Sequence, residues 1–332
     1  MHNLATQLSQ LEAPAPDHFR NLSLFPLLSQ GPLPTQPEYL LLDQAILEGL
    51  GRVTETGGGG SVPELRFENN ADRAVLLLDG EELLGAKQNR VLNLTILAPP
   101  RQVMVIPVSC VEAGRWSMRG PEFRPSPAVM YSKVRASRAA RVTDSMLATG
   151  ARRSDQGAVW ADIDAKACRM DADSPTQAMS ALYERHALSV EEYVRAFTCH
   201  HRQVGVVFAM DDLTMGLDLF DHPETFRRYF PRLLRSYALD ALDQPRSQSP
   251  PATSARLEDF LQQVGTATLA VQPALGLGKD VRITGHHVSG GALWFTDRYV
   301  HACAFLLEDH GVSAPHRPRM ARPSLRRSGS GV

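Results

Sequence analysis

Three short runs, Ala74–Leu78, Val91–Ala98 and Gln102–Val111, are apolar at both odd and even positions. A strand with one wet face alternates in hydropathy, and a strand without alternation is covered on both faces. Pro99-Pro100 breaks the last two runs apart, and Asp79-Gly80 is a hairpin-type dipeptide beside the first. Leu65 and Phe67 alternate with Glu64 and Arg66, as in a strand with one wet face. Asn21–Leu28 and Tyr39–Leu42 read as further strands, the second followed by a helical turn that Asp43 caps. The first third is therefore expected to form an antiparallel β-sandwich or a strongly curved sheet.

Helix signals dominate the middle. Val159, Trp160, Ile163 and Ala167 form an inward stripe. Ser174-Pro175-Thr176-Gln177 offers a capping Ser, a Pro at the first helical position and a Gln two residues on, before Ala178, Met179, Leu182 and Tyr183. Ser189–Glu192 and Asp221–Glu224 repeat the capping box, the latter before Phe226, Phe230, Leu233, Leu234 and Tyr237. Pro231 is expected to kink that last helix, because its ring removes a backbone donor. Between the helices, Gln203–Met210 and Leu213–Phe220 read as a hairpin turning at Asp211-Asp212. Gln244–Ala255 has linker composition, a short helix is expected at Arg256–Val264, and Val281–Val288, Ala292–Thr296 and Tyr299–Leu307 read as a strand meander.

The expected class is α+β. An N-terminal segment, 1–20, precedes one domain over 21–307, β-rich over 21–116 and helical with a hairpin over 130–243. A basic tail over 308–332 has too little apolar content to order itself.

Polar side chains crowd two places where apolar runs end. Leu76–Arg90 breaks into Asp79, Glu81, Glu82, Lys87, Gln88, Asn89 and Arg90, and Pro107–Trp116 into Cys110, Glu112, Arg115 and Trp116. An extended Lys87–Arg90 segment puts Lys87 and Asn89 on one face, Gln88 and Arg90 on the other. Amides donate and accept, and Arg offers a planar fork for carboxylate or phosphate. Arg115 and Trp116 suit a base or a phosphate. The structural alternative is a closed network pinning a sheet corner, with Glu112 paired to Arg115 over Trp116. Cys110 shares parity with Met104, Ile106 and Val108, which favours a buried, apolar role over a nucleophilic one. Asp162, Asp164 and Asp218 are formal acid/base candidates, with a solvated acidic face the simpler account.

Whole-chain values exclude several classes. Net charge is −1, so no global pull toward nucleic acid or anionic membrane exists. Charge is unevenly spread, however. Residues 113–153 hold nine Lys or Arg against two acids, and 154–224 hold thirteen acids against five Lys or Arg. Arg135, Arg138 and Arg141 recur every three residues, which predicts a cationic helix face. No CxxC pair occurs among Cys110, Cys168, Cys199 and Cys303, consistent with a reducing cytoplasm. Adjacent histidines at 200–201 and 286–287 lack zinc spacing, and no metal site is expected. No apolar run approaches the roughly 20 residues of a membrane-spanning helix, and the N-terminus lacks signal-peptide character. A cytoplasmic protein without a membrane partner is the expectation.

Five segments together resemble a known family: 78–90, 107–116, 156–167 (QGAVWADIDAKA), 204–221 (VGVVFAMDDLTMGLDLFD) and 233–242 (LLRSYALDAL). The chain is identified as a member of the ARG and Rhodanese-Phosphatase-superfamily-associated protein domain family over about Leu22 to Leu307. The resemblance implies an association with ADP-ribosylglycohydrolases and with a rhodanese-phosphatase superfamily, without a defined reaction or cofactor. Combined with the two polar clusters, it leads to the expectation of a nucleotide- or ADP-ribose-like ligand. Glu81 and Glu112 would then be the acid/base candidates, with Lys87, Gln88, Asn89, Arg90, Arg115 and Trp116 holding the ligand. Two alternatives stand beside it: nucleic-acid binding through 113–153 and the tail, and a non-catalytic role as an assembly partner.

Overall fold

A computed structural model describes residues 4–210, 213–244 and 250–307. The expected basic tail, the Asp211-Asp212 turn and residues 245–249 of the linker lie outside the described residues. In chain order come α1 (Leu4–Leu8), β1 (Leu11–Glu12), β2 (Asp17–Phe19), β3 (Leu22–Ser29), β4 (Tyr39–Leu41), α2 (Leu42–Leu47), β5 (Gly51–Glu55) and β6 (Glu64–Asn69). β7 (Ala74–Leu77), β8 (Glu81–Gly85), β9 (Arg90–Leu92), β10 (Ile96–Ala98), β11 (Gln102–Cys110) and β12 (Glu122–Val129) follow. The helical region contains α3 (Ser132–Thr149), α4 (Gln156–Arg169), α5 (Ser180–Arg185), α6 (Ala187–Ala196), the hairpin β13 (Gln203–Met210) and β14 (Leu213–Phe220), and α7 (Pro223–Asp243). Then come α8 (Ser254–Thr266), β15 (Thr268–Pro273), β16 (Lys279–Thr284), β17 (Val288–Phe295) and β18 (Arg298–Leu306). The class is α+β.

The curvature expected of the first third goes to closure. Strands β11-β6-β5-β12-β8-β9 form a closed barrel, and β10-β7-β4 form a small separate sheet. Closure removes the edges that an open sheet would expose. Val53, Leu65, Phe67, Leu83, Leu92, Ile106, Val108 and Phe123 belong to one buried core, that of the barrel. A nine-stranded sheet, ordered β1-β3-β13-β14-β18-β17-β16-β15 with β2 beside β3, carries the C-terminal meander. Leu257, Phe260 and Val264 of α8 share a core with Leu217, Leu219 and Ala304 of this sheet. The largest core joins Val206 and Phe208 of the sheet to Phe226, Leu233 and Tyr237 of α7 and Val129 of the barrel. Helix α7 has its start capped by His222, whose Nδ1 accepts from Glu224 N at 3.0 Å, and it runs through Pro231 without a break in its helical span.

Several local expectations change. The run Val91–Ala98 is not one strand: β9 joins the barrel and β10 the small sheet. Asp79-Gly80 likewise joins β7 to β8 without pairing them, because those strands belong to different sheets. Gly80 takes φ +79, a left-handed conformation natural to glycine. The first half of β11 is wet on its outer side, with Val103 55% and Val105 49% exposed. Ser174 accepts from Thr176 N and Ala178 N, but the helix starts only at Ser180. Residues 175 and 176 form a turn closed by Gln177 N donating to Ser174 O, Gln177 takes a positive φ, and Ala178 bridges to Glu112, so the helix is delayed. Ser189 lies inside α6, whose cap position is His186. Asp43 sits within the first turn of α2, where its Oδ1 accepts from Gln44 N, and Leu41 is the cap.

Candidate functional site

The β8–β9 hairpin sets the geometry at one mouth of the barrel. Arg90 pairs directly with Leu83 on one side and Cys110 on the other. Paired residues share a face, so Arg90 points inward with Leu83 and Leu92, at the rim of an apolar barrel. Its guanidinium is fully buried. Nη1 donates to Gln88 Oε1 at 2.9 Å, while Nε and Nη2 meet no acceptor among the described residues. Burial shifts the Arg90 pKa down from its ordinary value, partly offset by the nearby Cys110, Glu55 and Glu112 groups. The Cys110 thiol donates to the same Gln88 oxygen at 3.1 Å, and burial pushes its pKa up, in keeping with an apolar role.

Trp116 caps this mouth. Its indole is 48% exposed. Lys87 Nζ lies 5.1 Å and Arg90 Cζ 5.6 Å from the ring centroid. The Lys87 ammonium also donates to the carbonyls of Gly58 and Gly59, which pulls the Gly57–Gly60 loop across the rim. Lys87 N donates to Glu55 Oε1 at 3.2 Å, and the buried Glu55 Oε2 accepts nothing from a described residue. Glu55 is a rim carboxylate absent from the residues expected at the site. Its parity with inward-facing Val53 is the sequence signal that points to it.

Beside the mouth lies a closed network. Glu112 Oε2 accepts from Arg115 Nη2 at 2.6 Å and from Asn89 N at 3.0 Å, and Oε1 accepts from Thr176 Oγ1 at 2.8 Å. Burial alone would raise the Glu112 carboxyl, but the hydrogen bonds from Arg115, Thr176 and Asn89 outweigh it and hold the pKa below the usual range. Arg115 also donates to the carbonyls of Ala86, Ser117 and Gly85, and to Asn89 Oδ1. Gln88 Nε2 donates to Glu112 O at 3.0 Å. Arg115, Asn89 and Glu112 thus staple the hairpin turn, with few of their polar atoms left for a guest.

Glu81 does not join them. It sits at the opposite end of β8 from Gly85, about 13 Å along the strand at the usual rise per residue and two residues beyond Leu83, the partner of Arg90. There Arg232 Nη1 donates to its Oε1 at 2.7 Å and Arg232 Nη2 to Asp43 at 2.9 Å. Burial lifts the Glu81 carboxyl to about 7 against the pull of Arg232. Its neighbour Glu82 faces the other way, into the helical core. Neither Glu82 oxygen has a hydrogen-bond partner among the described residues, and burial raises its pKa to about 8. The Ser126 hydroxyl lies near enough to oppose that shift without meeting hydrogen-bond geometry, and Glu112 and Glu184 add to it. Six of the eight predicted site residues therefore lie at the mouth with Glu112, while Glu81 stands apart.

A second polar cluster fills the interface between barrel, α3 and the large sheet. Arg135 Nη1 and Nη2 donate to Asp218 Oδ2 and Oδ1 at 3.0 and 2.7 Å, and Arg138 Nη2 donates to Asp79 Oδ1 at 2.7 Å. His301 bridges from Asp218 (3.4 Å) to Thr95 Oγ1 (2.8 Å), which in turn accepts from Asp79 N. The expectation of a cationic helix face is corrected here: Arg135 and Arg138 are fully buried. Asp218 is likewise no solvated acid. Val134, Ala136, Ala139 and Val142, buried beside the two arginines, mark α3 as an inner helix, and charges inside it must be paired. Gly80 belongs to this contact, since a Cβ there would stand 2.9 Å from Arg135 Nε.

A model of the ARG and Rhodanese-Phosphatase-superfamily-associated Protein domain matches residues 10–305. No curated protein and no solved structure matches the chain. No helix among the described residues is long and apolar enough to cross a membrane.

Proposed function

We propose, from the premise that the chain belongs to the ARG and Rhodanese-Phosphatase-superfamily-associated Protein domain family, that it binds an anionic, nucleotide-like or ADP-ribose-like small molecule at the barrel mouth. The observation that carries this reading is Arg90: a buried guanidinium, beneath a half-exposed indole, with Nε and Nη2 unmatched by any described acceptor. A buried donor without a partner is costly, about 1–3 kcal/mol and more when charged. A phosphate or carboxylate oxygen would remove that cost and match the planar fork. Trp116 supplies an aromatic face for a base, Lys87 a second cation, and Glu55 an acceptor suited to a ribose hydroxyl. Lys87 and the Gly57–Gly60 loop, joined by hydrogen bonds to the Gly58 and Gly59 carbonyls, form one side of the mouth.

The arrangement favours binding over acid/base catalysis. The expected acid/base pair is separated, with Glu112 saturated by hydrogen bonds and Glu81 at the far end of β8. The nucleic-acid alternative draws on a segment whose Arg115, Arg135 and Arg138 are buried, so those three offer no surface contact to phosphate. Ligand-dependent thermal stabilisation, scanned over ADP-ribose, NAD and mononucleotides, tests the reading. A true ligand at 100 times its dissociation constant stabilises by about 2.7 kcal/mol. Absence of any shift across that panel refutes it.

A further inference from the structure

A cleft of about 440 Å³ opens where α7 begins, and none of its lining residues belongs to the barrel mouth. Tyr39 lies in it, buried, with its hydroxyl held 2.5 Å from Asp221 Oδ1 and 2.9 Å from Thr225 Oγ1. Arg298 in turn pairs with Asp221 at 2.8 Å, so the carboxylate behind Tyr39 is already neutralised. His222 fixes one wall: it caps α7 through Nδ1, and its Nε2 lies 2.9 Å from Pro34 O of the loop that supplies Thr35 and Gln36. This wall is therefore held in place by hydrogen bonds within the protein.

Charge in the cleft is one-sided. Arg73, Arg227 and Arg228 line it, against a single carboxylate, Glu224. Glu224 serves both Arg227 and Arg228, the latter at 3.2 Å. Arg73 is exposed and makes no ion pair with a described residue. One carboxylate shared between two guanidiniums, with a third left over, leaves an excess of two positive charges. The volume falls within the roughly 300–1,000 Å³ of small-molecule sites and exceeds what a bare inorganic anion fills. Thr35, Gln36 and Gln44 add neutral donors and acceptors of the kind that meet hydroxyl groups.

We propose that this cleft is a separate site for a small, hydroxyl-bearing phosphate monoester. The dianionic phosphate would meet Arg73 and the Arg227/Arg228 pair, whose forks suit its oxygens. The hydroxylated remainder would lie against Thr35, Gln36 and Gln44. This inference does not depend on the barrel mouth being occupied.

Isothermal titration calorimetry on the full chain tests it. The probes are ribose 5-phosphate and glycerol 3-phosphate, with ribose and inorganic phosphate as controls. The proposal predicts saturable binding of at least one ester, weaker binding of inorganic phosphate, and none of ribose. Arg73→Ala and Arg228→Ala should each weaken the ester about tenfold or more, the usual loss for a charged hydrogen bond, while Trp116→Ala at the barrel mouth leaves it unchanged. Both arginines are exposed, and circular dichroism verifies the fold of each variant. No binding of either ester, or wild-type affinity in both arginine variants, overturns the site. Equal affinity for inorganic phosphate and the esters overturns the assignment to an ester.

Discussion

Arg135 grips Asp218 with both terminal nitrogens, at 3.0 and 2.7 Å, and neither side chain has any exposed surface. The pair ties α3 to β14 in the middle of the large sheet. Burial would raise the Asp218 carboxyl, but Arg135 and His301 reverse that and hold it below its ordinary value. Arg135→Ala leaves that carboxylate buried and unpaired, which should cost about 3–5 kcal/mol. Joint replacement by Arg135→Met and Asp218→Leu should cost far less, because no charge remains stranded. Urea denaturation of the single and double variants measures both.

Glu82 predicts a pH dependence of the opposite kind. Its folded pKa of about 8 lies above the ordinary glutamate value of 4.5, so the folded state holds the proton more tightly than the unfolded chain. Its stabilising contribution is complete below the unfolded pKa and is lost as pH rises toward and through 8. Each tenfold gain in proton affinity corresponds to about 1.4 kcal/mol, so the loss amounts to a few kcal/mol. Glu82→Gln, neutral at every pH, should match wild type near pH 5 and exceed its melting temperature above pH 8. Thermal melts across that range settle the sign.

Gly80 should not tolerate a side chain. Its φ of +79 is strained for other residues, and a Cβ would press on Arg135 at 2.9 Å from Nε and 3.1 Å from Cδ. Gly80→Ala should therefore destabilise by about 1–3 kcal/mol, combining backbone strain with displacement of a paired Arg. The melting temperature reads this directly.

Arg115 should act through its shape as well as its charge. Its guanidinium reaches Glu112, Asn89 and three backbone carbonyls at once. A lysine keeps the charge but cannot span those acceptors. Arg115→Lys should cost on the order of 2 kcal/mol by denaturation, within the range for hydrogen bonds from a charged group.

Much of the architecture is legible in the sequence because it rests on local patterning. The strand at Glu64–Phe67 follows from period-two burial, while β13 and the meander β16–β18 are legible as short apolar runs buried at nearly every position. What patterning does not convey is partnership. Val91–Ala98 looks like one strand, yet its two halves join different sheets. Ser174 and Gln177 carry the letters of a capping box, but the Glu112–Ala178 bridge competes for the same backbone. In the site, the crowding of polar side chains at Lys87–Arg90 and at Glu112–Trp116 is readable, but their convergence is not, since it rests on the pairing of β9 with β11 at Arg90 and Cys110. The separation of Glu81 is not, because Arg232 lies 151 residues away in sequence. Arg135 and Arg138 read as surface residues only when charge spacing is weighed without their small apolar neighbours.

In the proposed function, Arg90 and Trp116 are the two halves of a ligand clamp. Calorimetric titration of ADP-ribose into wild type and Trp116→Ala tests this most directly, since the half-exposed indole can be removed without opening the core. Base stacking on an aromatic side chain contributes about 1–3 kcal/mol, so saturable wild-type binding should weaken about tenfold or more in the variant. Wild type that binds nothing, or a variant that binds as tightly as wild type, contradicts the clamp.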